Sequence, residues 1–551
     1  MKKIPSIKPS KANRPRSAFD LSQKHLYTAP AGALLPVLSV DLNYHDHIRI
    51  QAQDFMRTMP MNSAAFISMR NVFEFFFVPY SQLWHPYDQF ITGMTDYRSS
   101  LVFSKLDGQP VTSVPNVALA DLWKFCNTRA DKDIFGFPQK NNSIRLCDLL
   151  GYGRFATSAG TQLPMIHKGN VNLFRLLAYN KIYADFYRNT TYEPSDVSSY
   201  NIDDKKGTFT PTFDEYAKYV SLKYRNAPLD YLTNLRPTPL FAYDGGLNDA
   251  IFSGANSGQF SFVTNETDNG VFLRESATKF SSDVKIGNIT LNSTQALRGA
   301  FALDKLLSIT MRAGKTYAEQ IEAHFGVQVS EGRDGQVYYL GGFDSNVQVG
   351  DVTQTSGTTN PAVSDVGNAK LAGYLGKITG KGTTQGYGEI QFDAKEPGIL
   401  MCIYSLVPAM QYDCSRLDPF NAKQTRGDYF IPEFENLGMQ PMVPAFVSLH
   451  RSLDKSYGWQ PRYSEYKTAL DINHGQFCNN EPLSYWSIAR ARGNDLGAAL
   501  TLQNLKINPK WLDSVFAVNY NGTEVTDCMF GYTHFSIEKV SDMSEDGMPK
   551  I

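Results

Sequence analysis

One aromatic run constrains this chain more than any other feature: Arg70-Asn71-Val72-Phe73-Glu74-Phe75-Phe76-Phe77-Val78-Pro79-Tyr80, followed by Leu83-Trp84 and Tyr87-Asp88-Gln89-Phe90. Successive side chains of a strand point to opposite faces, so Phe73, Phe75 and Phe77 share one face. Val72, Phe76 and Val78 load the other. A strand that is apolar on both faces needs cover on both, as in a sandwich or between subunits. Pro79 has no N–H to donate and is expected to end the ladder.

The same texture extends on either side. Leu34-Leu35-Pro36-Val37-Leu38-Ser39-Val40 and Ile48-Arg49-Ile50-Gln51-Ala52 are further candidate strands, and residues 30–110 alternate short apolar stretches with turn residues. Helical spacing interrupts this pattern at Asn116 to Asn127, at Val171 to Arg188, and from Thr294 to Phe325, where Gly326 is the stop and Gly314 a divider. From about 330 to 540 short strands and Gly/Pro/Asn/Asp-rich loops return. Segment 344–385 is Gly/Ser/Thr-rich, nearly free of large apolar residues, and is expected to be an exposed loop. Few long helices, many short strands and long insertions predict an all-β-dominated sandwich or jelly roll enlarged by loops, and argue against a βαβ enzyme.

A chain of 551 residues predicts two to four domains on size alone. Phe and Tyr number 35 and 30, while charged residues reach 19%, and such aromatic-rich, charge-poor surfaces favour protein–protein contact. Lys+Arg and Asp+Glu balance at 53 and 54, so any nucleic-acid contact must be local. One local candidate exists. Residues 1–18 form a basic, proline-bearing arm in which Lys2, Lys3, Lys8, Lys11, Arg14 and Arg16 precede the first acid, Asp20. On a flexible tether these six cations would neutralise phosphates; the alternative is a solubilising terminus that never touches nucleic acid. Cysteines stand at 126, 147, 402, 414, 478 and 528. Without a CxxC pair they predict buried free thiols in a reducing compartment and no disulfide scaffold. The start has no apolar signal-peptide core, and no apolar run approaches the roughly 20 residues of a membrane helix, which predicts a soluble protein made in a cytoplasm.

Apparent catalytic signals dissolve on inspection. Ala313-Gly314-Lys315-Thr316 has the Gly-Lys-Thr of a phosphate loop, but Ile309 occupies the first glycine position and no strand precedes it. His45-Asp46-His47 has no Cys or third His nearby and reads as a solvated loop or strand face. Gly151-Tyr152-Gly153 reads as a turn. No GxSxG or HExxH occurs. The expectation is no catalytic residue, no cofactor and no metal.

An ordered set of segments carries a family resemblance. It includes Ser17-Ala18-Phe19-Asp20-Leu21-Ser22 and Ala33-Leu34-Leu35-Pro36-Val37, in which Ala33 replaces a frequent aspartate. Phe75-Phe76-Phe77-Val78-Pro79-Tyr80 through Leu83-Trp84 follows. Next come Leu177-Ala178-Tyr179-Asn180, in which Leu177 replaces a frequent arginine, and Asn226-Ala227-Pro228-Leu229-Asp230-Tyr231-Leu232-Thr233. Downstream stand Tyr317-Ala318-Glu319 through His324-Phe325-Gly326-Val327, Val352-Thr353-Gln354-Thr355-Ser356, Tyr429-Phe430-Ile431-Pro432-Glu433-Phe434 and Gly458-Trp459-Gln460-Pro461-Arg462-Tyr463-Ser464-Glu465-Tyr466-Lys467. Each is weak alone; their order along residues 17–490 is specific. The chain resembles the major capsid protein of the microviruses (Microviridae), gokushovirus-like small tailless single-stranded DNA phages.

The resemblance implies an eight-stranded antiparallel viral jelly roll spanning 19–540 as one domain, with a C-terminal tail at 541–551. Its insertions would fall at about 110–190, at 241–293 as a surface protrusion loop, at 294–326 as helix, and at 344–385. It implies a structural, non-enzymatic subunit that forms pentamers and then a sixty-copy T=1 icosahedral shell around circular single-stranded DNA. Expected partners are that DNA, minor capsid, pilot and DNA-binding viral proteins, and a bacterial surface receptor, met by loop 241–293 unless that loop only packs. Assembly would occur in the host cytoplasm and the product would be the virion. Two other classes stand beside it: a jelly-roll carbohydrate-binding protein or polysaccharide-active enzyme, and a free single-stranded DNA-binding protein.

Overall fold

The computed structural model describes residues 16–61, 67–92, 111–154, 169–237, 302, 305–310, 317–328, 335–353, 378–449, 456–478, 481–484, 489–490, 500–512, 515–516, 518–520, 523–524 and 526–545. The chain divides into two compact units. One takes residues 1–237, 331–435 and 440–551; the other takes 238–330 and 436–439. In the second, described residues include the helix Tyr317–Phe325, where the Thr310 hydroxyl lies 3.1 Å from the His324 ring and the Gln320 amide donates to the Thr310 carbonyl.

The first unit is built on two antiparallel sheets. Its strands are β1 (Ser17–Asp20), β2 (Gln23–Ala29), β3 (Leu35–Leu42), β4 (His47–Thr58), β5 (Met69–Pro79), β6 (Tyr338–Asn346), β7 (Gln348–Thr353), β8 (Ile378–Asp393), β9 (Gly398–Pro408) and β10 (Met529–Ser541). One sheet runs β1-β10-β4-β8-β7, with β2 also pairing β10; the other runs β3-β9-β5-β6. Chain neighbours alternate between sheets from β2 to β5 and from β8 to β10, while β1 and β2, β5 and β6, and β7 and β8 each share a sheet. β4 is paired from end to end, His47 to Val540 and Thr58 to Met529 on one side and His47 to Asp393 on the other.

Side-chain alternation places the core between the sheets. Phe73 stacks on Phe343 with ring centres 4.7 Å apart, and Tyr404 stands 5.0 Å from it. Contacts also cross from sheet to sheet: Phe77 meets Phe392 at 4.8 Å, Tyr27 meets Tyr404 at 5.3 Å, and Ser345 donates to Asp54. The other face of β5 is covered too, as its composition requires. Phe76 packs against Phe186 and Tyr187, and Tyr179 of helix α3 (Phe174–Ile182) donates to the Leu34 carbonyl at 2.9 Å. Helices α1 (Leu119–Thr128) and α2 (Gln139–Leu149) precede α3, and α4 (Phe213–Tyr219) follows with a capping box from Thr212 to Glu215. A π turn, Tyr183–Tyr187, continues α3 to the expected Arg188 boundary, and a short strand Asn116–Ala118 takes the start of the expected 116–127 helix.

Three expectations need correction or relocation. The described parts of the expected loop 344–385 are strand, in β6, β7 and β8; residues 354–377 lie outside the described set. Gly382 inside that stretch, and Gly386 and Gly388 just beyond it, serve close packing in β8. A Cβ at Gly388 would lie 2.2 Å from the Phe343 ring, and one at Gly386 would lie 2.3 Å from an Asp54 carboxylate oxygen. Only a residue without a side chain lets β8 approach its neighbours so closely. The basic arm is expected to run to 18, whereas strand pairing starts at Ser17, opposite Ser541. The cysteines are not all free: Cys414 and Cys478 are joined by a disulfide, while Cys126, Cys147, Cys402 and Cys528 are free and buried. The bridged residues are 64 apart in sequence. Backbone bonds such as Asn473 N–H to the Tyr412 carbonyl bring their segments together, which spacing alone could not disclose.

Candidate functional site

Glu74 is the charged residue inside the aromatic run, and its place on β5 turns it outward from the sandwich core. It meets the Arg225 guanidinium at 2.6 Å and also accepts from the Tyr187 hydroxyl; Arg225 further donates to the Ser405 hydroxyl at 2.9 Å. Burial works against the Arg225 charge, but the Glu74 carboxylate outweighs it and the guanidinium is held more firmly protonated. Burial, then Glu74, pushes the Tyr187 hydroxyl far above its ordinary range. The cluster forms the floor of a groove of about 470 Å³ walled by Phe76, Phe186, Tyr339 and Leu229. Phe186, Tyr339 and Leu229 are substantially exposed, Leu229 at 75%. A floor that is ionically paired and walls that are aromatic suit a contact surface.

A second apolar surface lies between residues 420 and 466. Phe420, Tyr429, Phe430 and Tyr466 are all exposed, and the Lys423 ammonium sits 4.2 Å above the Tyr466 ring and 2.7 Å from Glu465. The cation organises the rings through its positive charge over their negative faces. Clustered exposed aromatics of this kind mark interaction surfaces.

A buried cation lies deeper. Lys506 is 2% exposed; its ammonium donates to the Tyr183 hydroxyl at 2.6 Å and Asn226 Oδ1 at 3.2 Å, with Glu193 3.5 Å away. Burial lowers its pKa to about 8, although Glu193 works the other way. Every partner is internal, so Lys506 holds elements together and offers nothing to a ligand.

Of the six expected DNA-contacting cations, Lys2, Lys3, Lys8, Lys11 and Arg14 lie outside the described residues. Arg16 is described and already engaged: it pairs with Asp542 at 3.1 Å and donates to the His45 carbonyl. It anchors the start of β1. His45 and His47 do not converge. His45 sits in a turn with φ 62°, near Asp542, and His47 bonds Asp393 at 2.6 Å. Gly151 and Gly153 occupy a turn with positive φ. Gly314-Lys315-Thr316 lies outside the described residues. Among the described residues one group of three potential metal ligands gathers, Asp413, Cys414 and Cys478, and its two sulfurs are bonded to each other. No described helix is long and apolar enough to cross a membrane.

Sequence reasoning passed over Glu74, Arg225, Tyr187 and Lys506. For Glu74 a signal existed: a lone carboxylate between Phe73 and Phe75 has to find a cation when the strand is buried. Nothing in the local sequence marks Arg225, 151 residues away, as that cation.

Comparison with known proteins agrees with a surface made for contact. The family described as "Capsid protein (F protein)" matches residues 7–149 and 155–544. Capsid protein VP1 of Chlamydia phage 1 is 22% identical, the alignment covering 90% of this chain and 91% of the relative. Capsid protein VP1 of Bdellovibrio phage phiMH2K is 24% identical, with 88% and 86% covered. The chain belongs to the phage F capsid protein family of the Microviridae, as a structural and non-enzymatic component of the virion.

Proposed function

We propose that this protein is the repeating subunit of a T=1 icosahedral shell enclosing circular single-stranded DNA, and that its two sheets are an eight-stranded jelly roll. The observation that carries this reading is the strand order. Taking β2, β3, β4, β5, β6, β8, β9 and β10 as the eight strands, the sheets run β2-β10-β4-β8 and β3-β9-β5-β6. Consecutive strands fall in opposite sheets except β5 and β6, which pair within one sheet, and the last strand lies between the first and third, as two interleaved Greek keys require. The exposed aromatics at 420–466 and along the Phe186/Tyr339 groove supply apolar area for copies to bury against one another.

Lys2, Lys3, Lys8, Lys11 and Arg14 lie ahead of a fixed root at Arg16 and Ser17, so their charge is tethered to the end of β1. In this reading they meet the packaged DNA. Loop 241–293, rich in Gly, Asn and Ser, is the candidate for host attachment. Pentamers precede the shell, and minor capsid, pilot and DNA-binding viral proteins join it in the host cytoplasm.

Negative-stain microscopy with light scattering across salt concentration tests the central claim. Uniform closed particles or their pentamers are expected; a persistent monomer, even when co-expressed with the viral partners, overturns it. Deleting residues 1–15 separates coat from DNA binder: shells should still close while DNA per particle falls. Loss of assembly with DNA binding unchanged would reverse the roles.

A further inference from the structure

The segment between β9 and β10 is organised unlike the sheets. Its described elements are short: a two-residue parallel pair, Gln411–Tyr412 with Ala489–Arg490, a pair of four-residue strands, Met439–Met442 and Gly458–Pro461, a one-turn helix, Leu502–Leu505, a two-residue hairpin, Asn519–Tyr520 with Thr523–Glu524, and brief 3-10 turns such as Pro419–Ala422, Ser464–Tyr466 and Gly475–Phe477. The Cys414–Cys478 bond closes a loop that contains the Phe420, Tyr429, Phe430 and Tyr466 surface. Both ends of that loop are also held by the backbone: Tyr412 N–H donates to the Asp471 carbonyl at 2.8 Å, and Asn473 N–H to the Tyr412 carbonyl at 2.9 Å. Cys414 is partly exposed, whereas the four free thiols are buried.

We propose that Cys414 and Cys478 form a redox latch, a dithiol in the reducing cytoplasm where the subunit is made and a disulfide once the particle meets an oxidising medium. The inference rests on the reading that assembly is cytoplasmic. Thiols there are kept reduced by the small-thiol pool, and disulfides persist outside. The backbone bonds hold the two segments side by side without the sulfur bond, so closure needs no rearrangement of the chain. In closure each thiol gives up its proton as the S–S bond forms. The two electrons and two protons pass to dioxygen, which leaves as hydrogen peroxide. Partial exposure of Cys414 admits the oxidant, and burial of Cys126, Cys147, Cys402 and Cys528 restricts the reaction to this pair. The consequence is an aromatic contact surface that is adjustable during assembly and fixed afterwards.

Differential alkylation of the intact chain tests this. Cells making the protein are quenched by lysis directly into denaturant containing N-ethylmaleimide, and aerated purified protein is denatured in the same reagent without reductant. Each sample is then reduced and treated with iodoacetamide, and peptides are weighed. The latch predicts maleimide on all six cysteines from the quenched cells. Aerated material should carry carbamidomethyl at Cys414 and Cys478 and maleimide at the other four. In aerated material, dithiothreitol should lower the melting temperature by several degrees and speed proteolysis within 415–477; the C414S/C478S double variant should melt at the lower temperature with or without reductant. Maleimide on the pair in aerated protein overturns the latch, and so does carbamidomethyl on the pair in quenched cells, which would make it a constitutive bond. Stoichiometric zinc released from Asp413, Cys414 and Cys478 on denaturation would overturn it in favour of a metal site. Microscopy of the same preparation judges the shell reading separately, since the labelling pattern is legible whether or not particles form.

Discussion

The two-sheet sandwich and the segment from 409 to 528 are held by different physics. In the sandwich, long ladders satisfy backbone groups in bulk, and alternation sends Phe73, Phe75, Phe77, Tyr404 and Phe535 into one shared core. Any apolar side chain of suitable size contributes there, and stability scales with area removed from water. The later segment has no ladder longer than four described residues. It has a smaller apolar cluster of its own, around Tyr412, Met442, Val447 and Tyr457, and leans on single contacts: Lys423 with Glu465, the Tyr412 hydroxyl with Asp230, Cys414 with Cys478. The sandwich is therefore tolerant in kind and costly in volume, while the segment is sensitive to the loss of particular atoms. A coat subunit gains from that division, because a rigid frame can carry contact surfaces that adjust.

The comparison can be broken most severely from inside the sandwich. Phe75→Ala empties a fully buried site and should cost about 4 kcal/mol in reversible unfolding; a loss under 1 kcal/mol would mean the ring is not in the core. Glu74→Gln leaves the Arg225 charge buried without its carboxylate and should cost about 3 kcal/mol, since both side chains are largely buried. Glu74→Met combined with Arg225→Met should recover much of that loss, and failure to recover would show that the pair does more than neutralise itself. Reducing the Cys414–Cys478 bond should cost roughly 3 kcal/mol by releasing loop entropy in the unfolded chain. Hydrogen exchange should then speed up in 415–477 and stay unchanged in β4 and β5.

Lys506 sharpens the comparison through pH. Its pKa is about 8 in the fold against an ordinary 10.5. Below pH 8 both states carry the proton, and the penalty of a buried charge is fully present. Between pH 8 and about 10 the folded state sheds the proton first while the unfolded chain keeps it, so stability rises with pH, by about 2 kcal/mol. Above that range the buried tyrosines, whose raised pKa values favour the protonated fold, reverse the trend. Denaturant midpoints at pH 7.5, 8.5 and 9.5 should climb in the parent protein and climb less in Lys506→Met, where Lys223, also held below its ordinary range by burial, still contributes. The smallest effect is expected on the exposed surface: Phe430→Ala should change subunit stability by about 0.5 kcal/mol or less, yet reduce particle yield. Unchanged yield would remove that ring from the contact surface.

Some of this was legible in the chain itself. Alternation in Arg70–Tyr80 announced a strand buried on both faces, and helical spacing announced α3, because strand and helix periods act locally and leave their mark on adjacent residues. The ordered segments from Ser17 to Arg490 announced a capsid protein. What local pattern could not express was distance through space. Gly382 looked like a loop residue because composition does not record which side chain stands opposite; packing against Thr58 makes it a strand residue, as packing against Asp54 and Phe343 does for Gly386 and Gly388 just beyond. Cys414 and Cys478 looked like two free thiols, and Glu74 like an isolated carboxylate, because their partners lie 64 and 151 residues away. By itself the sequence determined the periodic elements and the family, since both are written in neighbouring residues. The tertiary structure alone decided which charges are neutralised, which sulfurs are bonded and which glycines are compulsory, since each depends on atoms that only folding brings together.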